Sequence, residues 1–229
     1  MSLSPASRLL RTAATLTLLL AALPAFALKP FNAQYEADYM GVSATGSMSI
    51  ESQGGNRWKY TLKVANKVAQ LSQSTVFEEH NGLWRPLSGT DHSFLLIKKI
   101  RRNAVYDWSA GEARWSGDVK PERAGPVKLQ AGDMDALLIN LAIARDVQAG
   151  KPLNYRLVDE GRVKDMAYTV AGREAITIAG ETKQATKVVY RNGSKETIAW
   201  VVEGIPVPAR ILQRKDGKDD IDLRLVAVK

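Results

Sequence analysis

Phe31-Asn32-Ala33-Gln34-Tyr35-Glu36-Ala37-Asp38-Tyr39 alternates apolar and polar residues without a fault. Phe31, Ala33, Tyr35, Ala37 and Tyr39 fall on one face, and Asn32, Gln34, Glu36 and Asp38 on the other. Side chains alternate across a strand, so this pattern predicts a β-strand with one face buried and one in water. The same period continues outward. Gly46, Met48 and Ile50 share a face. After the turn signal Gly54-Gly55-Asn56, so do Trp58, Tyr60, Leu62 and Val64, with Lys59, Thr61 and Lys63 between them. Val68 to Glu79 reads as a weaker strand, and Asn81-Gly82 is a hairpin signal. Leu83 to Leu96 follows and carries Pro86, which points to a bulge or an edge. Ile100, Arg102, Ala104, Tyr106 and Trp108 share a face, and a two-residue loop at Ala110-Gly111 would pair Tyr106 with Trp115. Later candidate strands are 153–159, 162–170, 173–178, 183–191, 195–202, 206–215 and 219–228. A three-residue closure at 192–194 would match Val188 and Tyr190 to the face of Ile198 and Trp200.

Asp133 to Val147 breaks the pattern. Met134, Leu137, Leu138, Leu141, Ile143, Ala144 and Val147 recur near period 3.6, which predicts an amphipathic helix. Asp133 would cap its amino end, Asp135 would favour the positive end of the dipole, and Gly150 and Pro152 would stop it. The fold class expected is therefore mainly β. It is a curved antiparallel sheet of about thirteen or fourteen strands, forming a barrel or half-barrel with the helix 133–147 packed on its concave side. Long strands left flat would expose edges and an apolar face. The stretch 121–132 is the longest connection without structure, and one domain over residues 28–229 is expected.

Residues 1–27 read as a cleaved signal peptide. Arg8 and Arg11 form a positive start, and Thr12 to Leu23 is apolar but too short to span about 30 Å of hydrocarbon. Pro24 breaks the run, and Ala25-Phe26-Ala27 supplies small residues for cleavage. The mature chain would begin at Leu28, lie in the periplasm and carry no stable transmembrane segment. Removing Arg8 and Arg11 leaves 30 basic against 24 acidic residues, a net charge of +6. A basic exported protein meets anionic envelope components; nucleic acid is not expected there. The chain has no cysteine and two histidines. That excludes disulfide scaffolds, thiolate metal sites, cysteine nucleophiles and an acylated anchor.

Several features together resemble a known family. Tyr35 and Tyr39 precede Gly41 and Gly46. A helix opens with Asp133-Met134-Asp135-Ala136-Leu137-Leu138 and runs to Arg145. Gly193 to Trp200 leads into Pro206-Val207-Pro208-Ala209-Arg210 and a last strand. Over nearly all of 31–228 the chain resembles the exported family of domain of unknown function 3108. The resemblance implies a Gram-negative periplasmic protein with no assigned reaction. The plan is also similar to periplasmic lipoprotein carriers and sigma-regulator lipid sensors, a likeness of fold that does not transfer function.

Catalytic signatures are missing. No G-x-S-x-G, S-x-x-K, H-E-x-x-H, P-loop or G-x-G-x-x-G occurs. A tight turn at Asn81-Gly82 would set His80 opposite Leu83 and His92 opposite Leu71. The two rings are then ~30 Å apart, at ~3.3 Å per residue, and share no metal. Carboxylates pair locally as Asp133 with Asp135, as Asp159-Glu160, and as Asp219-Asp220 with Asp222, where caps and turns account for them. No catalytic, cofactor-binding or metal-binding residue is expected. The candidate ligand contacts are Tyr106, Trp108 and Trp115, with Leu138 and Leu141 on the helix stripe; the same side chains also read as core. Lys98, Lys99, Arg101 and Arg102 beside Phe94-Leu95-Leu96-Ile97 are a second binding candidate. The leading expectation is a non-catalytic binder or carrier of an apolar or amphipathic envelope ligand such as a lipid. The alternative is an envelope assembly factor acting through protein contacts, and a glycan-acting enzyme comes third. A carrier predicts an apolar cavity above about 300 Å³. An assembly factor predicts a filled core with an exposed apolar patch, and an enzyme predicts converging acids with shifted pKa values.

Overall fold

The computed structural model describes residues 28–39, 41–95 and 98–229. The expected signal peptide, and Leu96 and Ile97 of the apolar-basic stretch, lie outside these residues. Among the described residues, β1 (Phe31–Tyr39), β2 (Val42–Ser52), β3 (Arg57–Ala65), β4 (Ala69–His80), β5 (Leu83–Leu95), β6 (Lys98–Asp107) and β7 (Glu112–Gly117) succeed one another as a meander. After a short 3₁₀ turn at Pro121–Arg123 come β8 (Val127–Lys128), β9 (Asp133–Met134) and the helix α1 (Ala136–Gln148). The chain closes with β10 (Asn154–Asp159), β11 (Arg162–Ala167), β12 (Thr169–Ile178), β13 (Glu181–Asn192), β14 (Lys195–Val202), β15 (Arg210–Lys215) and β16 (Lys218–Val228).

Thirteen strands form one antiparallel sheet in the order β12-β13-β14-β15-β16-β1-β2-β3-β4-β5-β6-β7-β8. It curves but does not close, since β12 and β8 are free edges. The first and last strands meet in its middle: Tyr35 stands opposite Leu225, and Asn32 and Lys229 exchange both backbone bonds at 2.9 and 2.8 Å. β1 buries Ala33, Tyr35 and Ala37 and turns Asn32, Gln34 and Glu36 to solvent, as its alternation requires.

The expectation of purely antiparallel pairing needs correcting. β11, β10 and β9 make a separate three-stranded sheet in which β9 runs parallel to β10. Asp133 and Met134 thus belong to a strand, and α1 begins at Ala136 rather than at Asp133. The reason is a contact distant in sequence: Arg156 Nη1 donates to both Asp133 oxygens at 2.6 Å, which draws that residue into the ladder. The cap is Asp135, whose carboxylate accepts from Leu138 N at 2.7 Å.

Register departs from expectation at three hairpins. Asp107 accepts from the backbone N–H groups of Ser109 and Ala110 at 3.0 and 2.9 Å, nucleating a four-residue loop. Tyr106 therefore pairs with Ala113 and Trp115 with Ala104. A shift of two keeps both rings on one face, and they meet edge-on at 6.0 Å. A bulge at Leu87, next to Pro86, moves His92 from Leu71 to Ser72. At 192–194 the closure has two residues, so Val189 faces Ile198. Face-matching was uninformative there because β14 is buried on both sides. Its Trp200 lies beneath the Lys187 and Arg210 cations, at 5.3 and 4.8 Å from the ring. Strand β15 starts at Arg210 rather than at 206, since Pro206 and Pro208 have no N–H to give a ladder.

The concavity is filled. α1 packs against β3, β4, β10 and β14, and its burial extends beyond the expected stripe to Ile139 and Ala142. Curved sheet lies on one side and β10 on the other, so α1 is the centre of the core rather than a lid over it.

Candidate functional site

Where α1 begins, it faces β4, β5 and β6, and the β10–β11 turn closes over the junction. Asp135 from the helix cap, Asp91 from β5, Arg102 from β6, and Asp159 with Glu160 from the turn line one cavity of about 70 Å³ together with Trp115. Gly89 on β5 keeps the space open. A Cβ there would reach 3.5 Å from Ala104 Cβ and 3.8 Å from Asp135 Oδ2. The turn itself has little freedom: Glu160 and Gly161 both have positive φ, and a Cβ on Gly161 would lie 2.3 Å from the Arg123 carbonyl oxygen.

Each acid is held differently. Asp135 Oδ2 accepts from the Thr75 hydroxyl at 2.5 Å. Burial pushes the Asp135 carboxyl up to about 6, against the pull of hydrogen bonds from Thr75 and from the Leu138 and Leu137 amides. Asp159 is raised to about 7, first by burial and then by the charges of Asp135 and Glu160. Arg102 reaches Asp91 Oδ2 at 3.3 Å and also pairs with Glu160. Tyr106 donates to the Val158 carbonyl at 3.0 Å, and burial plus the carboxylates Asp135, Asp159 and Asp133 raise its hydroxyl well above the usual range.

Two polar atoms remain unmatched. Asp91 Oδ1, an acceptor, and Trp115 Nε1–H, a donor, are buried without a hydrogen-bond partner among the described residues. Both residues line this cavity. Buried polar atoms are nearly always paired with protein, ordered water or a bound group, so these two residues offer a donor and an acceptor to what occupies the cavity. The arrangement can exchange a proton near neutral pH at Asp135 and Asp159, and it favours a positive or hydrogen-bonding occupant. Among the described residues no group of three acids and histidines converges to hold a metal ion. A second, more open groove of about 390 Å³ lies beside Leu28, bordered by Asn56, Trp58, Glu79 and Asn81.

Residues 34–224 match the family described as protein of unknown function DUF3108. The chain belongs to the DUF3108 family. A solved structure similar to this DUF3108 protein is the β-barrel-like protein of domain of unknown function DUF1849 from Brucella abortus. It has a TM-score of 0.50 and 13% identity, over 87% of this chain and 97% of that one. At that identity the likeness is one of fold. MucB aligns over 87% of this chain and 52% of its own, with a TM-score of 0.32 and 9% identity. No curated protein matches the DUF3108 sequence.

The sequence-derived candidates scatter in this DUF3108 structure. Tyr106 and Trp115 stand in the cavity wall. Trp108 lies outside it, donating to the Pro86 carbonyl at 2.6 Å, with the Arg85 guanidinium over its ring at 5.4 Å. Leu138 and Leu141, 0% and 1% exposed, belong to the main core. His80 and His92 are exposed. Of the basic run, Arg102 turns inward to its ion pairs while Lys98, Lys99 and Arg101 stay in water. Sequence reading paired Asp133 with Asp135 and Asp159 with Glu160 as neighbours, but gave no reason to bring Asp135 to Asp159. The signal available was compositional: acids at the mouth of an apolar helix, and Gly89 inside a strand, which hints at close approach.

Proposed function

We propose that this DUF3108 protein is a non-catalytic binding protein, exported to the periplasm by residues 1–27. It recognises the polar end of an amphipathic envelope ligand. The observation that carries this reading is the pair of unpartnered buried atoms, Trp115 Nε1–H and Asp91 Oδ1, on two residues that line one cavity. The filled concavity bears on which end is held. α1 occupies the space that an acyl chain would need, and the cavity left at its start holds only about 70 Å³. An apolar-ligand carrier would need several times that volume, above about 300 Å³. The resemblance to an exported family and the secretory character of residues 1–27 support the location.

The test is native mass spectrometry of the protein recovered from periplasm. The mature chain should begin at Leu28 and carry a non-covalent adduct. An Asp135→Asn/Asp159→Asn variant that folds normally should lose it. Bare protein in every preparation would count against a binding function.

A second reading has one observation in its favour. Asp135 and Asp159 are two acids in one cavity, and glycan hydrolysis uses a pair of acids, one protonated, as Asp159, raised to about 7, could be, and one ionised. Release of reducing ends from envelope glycan, abolished by Asp159→Asn, would put that reading ahead.

A further inference from the structure

The chemistry of the cavity wall narrows the occupant, on the reading that the cavity binds a polar group. Asp91, Asp135, Asp159 and Glu160 face it against the single guanidinium of Arg102. The wall carries a net charge of −3 with all four carboxylates ionised and −2 with Asp159, raised to about 7, protonated, in a chain whose formal charge is +8. Low surrounding polarity strengthens the pull of such a wall on a cation. A neutral group would leave most of that charge unanswered, and an anion would be repelled.

Trp115 adds an opposite requirement. It is 5% exposed, lines the cavity, and its Nε1–H has no partner among the described residues. An indole only donates, so it asks for an acceptor. A bare metal ion offers none, whereas a simple alkylammonium answers the carboxylates and leaves the indole unmatched. An occupant that answers both the carboxylates and the indole better than water carries a positive donor and an oxygen acceptor together. Size sets the rest. A water needs about 10–15 Å³ of such space, so a cavity of about 70 Å³ takes at most roughly five to seven non-hydrogen atoms.

We propose that the cavity binds a primary ammonium bearing an oxygen acceptor on the same short chain, the chemistry of an ethanolamine head. The ammonium sits beside Asp135 and Asp159, and the oxygen accepts from Trp115 Nε1–H. This chemistry occurs both in a free amino alcohol and in a phosphatidylethanolamine headgroup.

The indole N–H signal of Trp115 is the reporter, assigned among the five tryptophans by its loss in Trp115→Phe. Ethanolamine, ethylamine and ethylene glycol are titrated into the mature protein. Ethanolamine should move the Trp115 signal saturably. Ethylamine should bind several-fold more weakly and leave the indole signal nearly in place, and ethylene glycol should bind more weakly still. Asp159→Asn should weaken ethanolamine binding by about tenfold to a hundredfold, the worth of one charged hydrogen bond. Gly89→Ala adds a methyl at ordinary contact distance beside Asp135 and should weaken binding in a protein that still folds.

A Trp115 signal unmoved by ethanolamine overturns the proposal, as does ethylene glycol binding as tightly as ethanolamine. In either case an adduct in native mass spectrometry would leave the binding function standing, and only the ligand class would fall. Vesicles separate the two sources. Sedimentation with phosphatidylethanolamine but not with phosphatidylglycerol assigns the lipid head, and ethanolamine binding without sedimentation assigns the free amine.

Discussion

The Thr75 hydroxyl on β4 donates to the Asp135 carboxylate at 2.5 Å, joining the middle of a strand to the helix cap 60 positions later. Thr75 is 1% exposed and Asp135 5%. The bond therefore closes the floor of the cavity and fixes where α1 starts. Thr75→Val keeps the shape and removes the donor. Its expected cost is about 1–3 kcal/mol, because the buried carboxylate loses a partner. Urea unfolding measures it, and an unchanged midpoint would mean that the bond holds nothing in place.

Stability should fall as pH rises across the range set by the two raised acids. An unfolded aspartate titrates near 3.8, whereas Asp135 does so at about 6 and Asp159 at about 7. Between those values the folded chain binds more protons than the unfolded chain, so the slope of unfolding free energy with pH is negative. Asp91 and Glu160 line the same cavity as anions and Arg102 as a cation, Asp133 just before Asp135 in the chain is paired with Arg156, and Tyr106 stays neutral. Asp159→Asn should gain on the wild type as the medium goes from about pH 5 to about pH 8. Urea midpoints for both proteins at the two values check the sign, and parallel curves would show that Asp159 titrates normally.

Leu138 has no exposed surface. Leu138→Ala should cost about 2–5 kcal/mol through lost burial and the cavity left behind. Leu138→Asp, with an unpaired charge in the same place, should fail to fold. Thermal melting of the alanine variant is the direct measurement, and a loss below about 1 kcal/mol would place this helix face in water.

Gly161→Ala puts a Cβ 2.3 Å from the Arg123 carbonyl oxygen, at a backbone with φ of +68°. It should lose about 1–3 kcal/mol and shift the neighbouring Glu160 off Arg102. A Trp115 indole signal identical to that of the wild type would show that the turn does not support the cavity.

Much of the sheet was legible because a strand with one dry face writes its period into the chain. Phe31 to Tyr39 shows this most clearly, and Trp58 to Val64 does so too. The reading failed where that condition failed. β14 is dry on both faces, so alternation could not choose a register. The bulge at Leu87 and the Asp107 loop moved partners by hydrogen bonds that no apolar pattern records. The limits of α1 were blurred for a similar reason. Asp133 and Asp135 are both good caps, and only the distant Arg156 draws the first of them away. The cavity was least legible. Its acids stand at positions 91, 135, 159 and 160, each with an innocent local explanation as a strand, cap or turn residue. Proximity between them is a product of the whole topology.

The junction of β1 with β16 has a consequence for how the molecule is made. Each half of the large sheet is a string of neighbours in sequence, and such ribbons zip quickly because their loops are short. The seam between them is different: it must bring Tyr39 to Ile221 and Ala33 to Val228, nearly the full span of the chain. A ribosome delivers the amino-terminal ribbon first. That ribbon therefore waits with the outer edge of β1 unsatisfied until the final strand arrives to seal it. During this interval the edge is a template for the wrong partner, including the same ribbon of another copy. Once the seam forms, that hazard disappears and Asn32 and Lys229 become neighbours. A permuted chain joined across the seam and reopened at the Gly54-Gly55 turn would keep every ladder while turning its slowest contact into its most local one.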